Sequence, residues 1–528
     1  MKKIMLAALL LASAGCDSVS GGGRGGDGGE GVAAVQPSRV TPAELRAAVS
    51  DPRLVRFYEA RDWQPAWNEE TARNLVEAIG QARRHALVPD AFLAEAARAE
   101  APAAREAALT LAALSYAEAL ARGRVDPKRL RRDYDIARPN VDAAAGLSQA
   151  VQQGDVGEWL AGLAPQDEEY RQLSAAYVAA VRQAQAERTT PVPEGPAIRP
   201  GGSDRRLPAI AQVLRARGYL PAEPAAQPQP QQQRQAPKQQ PQARPAAARY
   251  TPEMVAAVRR LQEDHGLEAS GLIGPDTLAA LNRGSSDRAR TLAANLERRR
   301  WLPREAPATR IDVNTADATL AYWRGGNVVD RRRVVTGQPG NETPQLASPI
   351  FRLVANPTWT VPRSIEEEEI APKGEAYLAR NNMVRRDGMI VQLSGPENAL
   401  GLVKFDMRND QSIYLHDTPA KALFAQDQRH FSHGCVRVQD ALGFAEMIAQ
   451  HEGVLDDWHE ARAKEDETFV PLPREIPVRL LYHTAFLDGG RIRFRPDEYG
   501  WDDDLAVAIG LAAQPRQARR PRASDVGP

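Results

Sequence analysis

Cysteine is nearly absent from this sequence: 528 residues hold two, Cys16 and Cys435. A pair so placed excludes a disulfide-stapled scaffold. Net charge is absent too, because 68 Lys and Arg balance 68 Asp and Glu, and no general pull on nucleic acid follows. Histidine is scarce, and three of the eight fall between residues 415 and 440. Glycine and proline, by contrast, number 39 and 40 and are unevenly spread, which predicts folded blocks separated by linkers. A chain this long exceeds one usual core, so two or more domains are expected.

Met1-Lys2-Lys3 and the apolar run Ile4 to Ala12 have the charge and length of a secretory signal, too short to remain as a membrane-spanning helix. Export to the periplasm is therefore expected. Ser13-Ala14-Gly15 before Cys16 resembles a bacterial lipobox, which implies lipidation of Cys16 and membrane anchoring. The alternative is a plain signal peptide cut near the same place. Residues 1–16 are then the signal and the Gly-rich residues 17–40 a flexible tether. With Cys16 lipidated, Cys435 is the only thiol of the mature protein, a liability in an oxidising compartment unless it is used or buried.

Residues 41–188 are rich in Ala and Leu with charges at helical spacing, as in "REAALTLAALSYAEALARGRV", and predict a mainly helical scaffold domain. Its Phe57, Tyr58, Trp63 and Trp67 read as core or domain contact rather than a ligand box. Pro and Gly mark a linker over 189–206. Residues 207–283 predict a small three-helix unit: one amphipathic helix, a disordered Pro/Gln insertion at 221–249, a helix from Pro252, turns at Gly266 and at Gly271 to Gly274, and a helix from Pro275. Over 310–500 alternation replaces helical periodicity. "ATLAYWRGGNVVDRRRVVTG" reads as two strands around Gly325-Gly326-Asn327, and "GLVKFDMRNDQSIYLHD" repeats the design. Acidic, helical sequence at 361–388 interrupts this β-rich block, either as a solvated face or as a lid. The basic tail 516–528 is expected to be disordered, and the whole chain to be multidomain α+β.

The stretch "LHDTPAKALFAQDQRHFSHGCVRVQD", residues 415–440, gathers His416, His430, His433 and Cys435. Four such side chains suffice for zinc. However, "RHFSHGCV" has no helical period to put His430 and His433 on one face, and no paired cysteine supports a structural site, so no metal is expected. As ordinary core the cluster, with Arg437, is costly without partners, although His430 alone reads as an exposed loop residue. A nucleophile needs a thiol beside a base, with backbone donors aimed at a developing oxyanion. Gly434 lets the backbone pass close to a substrate carbonyl, and amides around Gly434 and Cys435 can point into one cavity. His416 ends the apolar strand "SIYLH", where a sheet can hold it opposite Cys435, and Asp440 is placed to N-cap the helix "ALGFAEMIAQ".

"YLHDTP" followed by "SHGCVRV" resembles the motif of the L,D-transpeptidase (YkuD) catalytic domain: His, a spacer, then Ser/Thr-His-Gly-Cys. "TGQPGNETPQ", "NPTWTVPRSI" and "NALGLVKFDM" are further similar segments. "AVRRLQEDHGLEASGLIGPDTLAALN" resembles the peptidoglycan-binding domain of cell-wall enzymes, and the order of blocks is similar to the large, YcbB-like branch. The resemblance implies a sandwich-like catalytic domain with Cys435 as nucleophile and His416 as base, oriented by the Asp417 carbonyl. It implies oxyanion binding or positioning by His433 and Gly434, substrate binding by Ser432 and Arg437, and a core or cleft-wall place for Trp359. No cofactor is implied. The implied reaction is acyl transfer between peptidoglycan stem peptides, a donor tetrapeptide and an acceptor stem, giving 3-3 cross-links, with carbapenem acylation of Cys435. Alternatives are L,D-carboxypeptidase activity or protein-to-wall attachment through the same acyl-enzyme, and a non-catalytic wall-binding lipoprotein.

Overall fold

The computed structural model describes residues 40–186, 191–222 and 248–513. The expected signal and tether, the lipidation residue Cys16, most of the Pro/Gln insertion and the tail 516–528 lie outside the described residues.

The first block is helical around Pro102–Arg122, which is buried on most sides, as an Ala-rich helix without a polar face requires. Shorter helices around it open on Thr41, Asp51, Asn68 and Asp142, each side chain accepting an amide of its first turn. Phe57 and Tyr58 are fully buried. The Tyr58 hydroxyl and Trp67 Nε1 meet at Thr110 Oγ1, at 2.7 and 2.8 Å, so this aromatic cluster belongs to the core.

Helices Leu207–Ala216, Pro252–Asp264 and Pro275–Asn282 form a second core around Ile210, Leu214, Val258 and Leu261. Buried Gln262 ties its turn, accepting from the Gly271 amide and donating to Leu272 O and Thr277 Oγ1. Part of the stretch 189–206 is built into this unit rather than spanning freely. Val192 and Ile198 are buried in its core, and the Asn282 side chain bonds both the N–H and the C=O of Val192. At the near edge of the Pro/Gln insertion, Ala248–Arg249 pairs with Ser203–Asp204.

Sequence periodicity missed the helix Ser285–Trp301 that follows. Its Arg290, Glu297, Arg298 and Arg300 are buried, which hides the apolar stripe. Each is matched: Arg300 pairs with Glu297 at 2.5 Å and donates to Tyr170 Oη at 2.9 Å, Arg298 pairs with Asp502, and Arg290 reaches Asp503 at 3.2 Å. Leu292 and Leu296 of this helix join the core of the first block.

The C-terminal block is a nine-stranded mixed sheet. Its strands are β1 (Arg310–Asn314), β2 (Thr319–Arg324), β3 (Asn327–Gly337), β4 (Leu346–Ala355), β5 (Val403–Met407), β6 (Leu415–His416), β7 (His430–Ser432), β8 (Val436–Val438) and β9 (Thr468–Leu481). They lie in the order β7-β3-β8-β6-β5-β4-β9-β1-β2, and β2 also pairs with β3, so the sheet closes on itself. The β6–β8, β7–β3 and β9–β1 pairs are parallel. The helix Ala441–Glu452, N-capped by Asp440, buries Phe444, Ala445 and Ile448 in the sheet's core.

Between β4 and β5 the segment 359–392 forms a separate three-stranded sheet with helical turns over 363–380 and its own core around Trp359, Ile365, Ile370 and Ile390. After β9 a hairpin, Ala485–Asp488 and Arg491–Phe494, lies against the small helical unit. Asp264 of that unit takes Arg491 at 2.6 Å and Arg493 at 2.5 Å, and His265 stacks on Phe494 at 5.8 Å.

Candidate active site

Parallel pairing of β6 with β8 sets Leu415 opposite Val436 and His416 opposite Arg437, which brings Tyr414 and Cys435 side by side at the mouth of the pair. The Val436 amide donates to Tyr414 O at 3.1 Å, closing that corner. His416 is fully buried. Its Nδ1 lies 2.5 Å from the carbonyl oxygen of Asp417, so Nδ1 carries the proton, and its buried Nε2 has no hydrogen-bond partner. A base that must accept a proton needs that free nitrogen. Burial, with the Arg437 charge nearby, holds the imidazole well below its ordinary range. Burial also pushes the Cys435 thiol up to about 11, against the pull of the Tyr414 amide and hydroxyl. The resting pair is therefore a neutral thiol and a neutral imidazole.

The loop before β8 is fixed by its own polar groups. Ser432, fully buried, donates to Cys435 O at 2.6 Å and accepts from the Gly434 amide at 3.2 Å. Gly434 thus has its N–H engaged within the loop. Its φ of +118° demands glycine. The turn after β3 packs beneath. There the Gly337 backbone passes so close that a Cβ would sit 2.1 Å from Asn341 O.

His433 is bonded through Nε2 to Glu369 Oε1 at 2.7 Å, and both side chains are largely buried. Glu369 stands in the π-helical turn Glu366–Ile370 of the 359–392 segment, a rare geometry that recurs at functional sites. The structure moves His430 away from this group and corrects the expectation of an exposed loop residue. His430 is buried on β7, Nε2 lies 2.9 Å from Thr315 O, and its ring meets Tyr499 edge-on at 5.7 Å. The parallel pairing of β7 with β3, not visible in the sequence pattern, pulls it inward. Among the described residues no three His, Cys, Asp or Glu side chains are grouped to hold a metal ion. Arg437 is buried on β8, and Trp359 occupies the core of the 359–392 segment at 1% exposure.

Residues 308–459 match the family model described as the L,D-transpeptidase catalytic domain, residues 237–281 that of a "Putative peptidoglycan binding domain", and residues 52–176 that of a scaffold domain. The chain carries an L,D-transpeptidase catalytic domain. A Haemophilus influenzae protein named "Putative L,D-transpeptidase" is 32% identical over 246 residues, 41% of this chain and 49% of that one, so the chain spans about half the length of this curated relative. A solved L,D-transpeptidase from Xylanimonas cellulosilytica is 16% identical, covering 55% of this chain and 98% of its own, with a TM-score of 0.18. One from Stackebrandtia nassauensis is 16% identical, covering 46% and 82%, with a TM-score of 0.20.

The sheet of the transpeptidase domain runs past the matched segment, since β9 at 468–481 lies between β4 and β1. Three residues of its site escaped sequence reasoning. Tyr414 lies two positions before His416, packs edge-on against it at 5.7 Å and acts on the Cys435 thiol. Burial and the neighbouring Cys435 hold its phenol well above its ordinary range. A strand's period of two was the available signal, because residues i and i+2 share a face. Thr343, whose hydroxyl bonds Gly434 O, lay inside the family-like "TGQPGNETPQ", and Glu369 inside an acidic run that read as a solvated face or a lid.

Proposed function

We propose that the protein is an L,D-transpeptidase that forms 3-3 peptidoglycan cross-links through a Cys435 acyl-enzyme. Its donor is a tetrapeptide stem and its acceptor a second stem. It acts in the periplasm, anchored by a lipid on Cys16; the support for that placement is the N-terminal sequence alone. One observation carries the catalytic reading. Cys435 immediately precedes β8 and His416 ends β6, its parallel partner, with His416 Nδ1 held by a carbonyl and its Nε2 free.

In the first step His416 Nε2 takes the thiol proton as Cys435 Sγ bonds to the carbonyl carbon of the third stem residue. The C–N bond to the terminal D-Ala then breaks. D-Ala leaves with the proton from the imidazolium, and a thioester remains. In the second step an acceptor amine bonds to the thioester carbon, the C–S bond breaks, and the sulfur regains a proton through His416. His433, held by Glu369, and Arg437 flank this path and serve to position the loop and the stem.

The test is intact-mass analysis with a carbapenem and with tetrapeptide stems. Wild-type protein should gain one adduct mapped to Cys435 and yield 3-3 dimers. Cys435→Ala should lose both while keeping its fold, and dimers made by that variant would sink the assignment.

A further inference from the structure

Thr343 is fully buried in the turn that follows β3, far in sequence from the SHGC loop, yet it is bonded into it. Its Oγ1 accepts from the Gly337 amide at 2.8 Å and lies 2.8 Å from Gly434 O. The first contact fixes which way the hydroxyl proton can go: with Gly337 N–H supplying a hydrogen, the Thr343 proton is directed to the Gly434 carbonyl. Tyr499 braces the arrangement, since its hydroxyl donates to Gly337 O at 2.7 Å and accepts from the Thr343 amide at 3.5 Å.

The Gly434 carbonyl and the Cys435 N–H belong to one planar trans peptide and point in opposite directions. Pulling the carbonyl toward Thr343 turns the Cys435 N–H the other way. The neighbouring backbone groups of the loop are already engaged: Ser432 Oγ holds the Gly434 N–H and the Cys435 C=O. The Cys435 N–H itself makes no hydrogen bond among the described residues. An amide that is fixed in direction and unspent is the kind of donor that stabilises an oxyanion without reorganising.

We infer that Thr343 is a positioning residue for acyl transfer: its hydroxyl sets the Gly434–Cys435 peptide so that the Cys435 amide faces the developing oxyanion. The inference rests on Cys435 being the nucleophile.

Two reactions of the full chain test it. Acylation by a carbapenem passes through an oxyanion, whereas alkylation of the same thiol by iodoacetamide displaces iodide and develops no oxyanion at a carbonyl under attack. In Thr343→Val, nearly isosteric but without the hydroxyl, the acylation rate constant should fall by about 10- to 100-fold. Alkylation should stay within about threefold, and Thr343→Ser should recover acylation. Should the valine variant not fold, Thr343→Ala is read the same way. Acylation in these variants within about threefold of wild type, a parallel loss of both reactions, or no recovery in the serine variant overturns the inference. Wild-type protein that takes no adduct at Cys435 fails at the earlier step, the nucleophile assignment, and is thereby told apart.

Discussion

His416 and Cys435 are both buried in forms that carry no charge, and that sets their pH behaviour. With the imidazole held well below its ordinary range and the thiol near 11, the productive neutral pair persists across pH 7–9, so wild-type acylation should be level there. His416→Gln removes the base, leaving only pre-formed thiolate, about 10⁻⁴ of the thiol at pH 7 for such a pKa. Its residual acylation should rise about tenfold per pH unit from 7 to 10; a flat profile in the variant would show that another group takes the proton. His430→Ala should behave differently. It empties a buried site beside Thr315 O and Tyr499, costing about 2 kcal/mol in urea unfolding, while carbapenem acylation stays within a few-fold of wild type. The thiol, the imidazole and the carbonyl that the structure sets beside that imidazole were legible as candidates in "YLHDTP" and "SHGCV". Tyr414, Thr343 and Glu369 were not singled out, because each reaches the site through strand pairing or packing that sequence spacing does not encode.

The strands carrying the site are short, and alternation located them better than it measured them. "SIYLH" pairs only through Leu415 and His416, because Ser412 turns the backbone to φ +56° and the Asn409 side chain takes the Ile413 amide and carbonyl. The 359–392 segment was legible as an interruption, but its contact with His433 was not. If Glu369 fastens this element to the catalytic loop, Glu369→Ala should loosen it. Amide exchange over 363–380 should speed up, and the yield of cross-linked dimer should drop several-fold. Unchanged exchange would mean that the element's own core around Trp359 and Ile370 holds it in place.

Across the whole molecule the parts are fastened by buried charge. The Ser285–Trp301 helix and the Asp264 contacts with Arg491 and Arg493 join helical and β blocks that composition alone would separate, which is why the sequence pattern suggested freer linkers. Burial also depresses five histidines among the described residues: His85 down to about 4, His265, His416 and His483 well below their usual range, and His451 below it. Since their folded pKa values lie below the unfolded ones, the unfolded chain binds more protons as pH falls through 6.5, and stability declines from there. Each group contributes up to about 1.4 kcal/mol per pH unit of that gap. The urea midpoint at pH 5 should therefore lie clearly below that at pH 7.5, and an equal or higher midpoint would count against this account.

The crowding at Gly337 also bears on inheritance. A single methyl group there must displace the 341–343 turn that carries Thr343, so, on the inference above, a lesion touching neither substrate nor cysteine should slow acylation while leaving the thiol itself reactive. A survey for resistance to acylating inhibitors that reads only the SHGC codons would miss it.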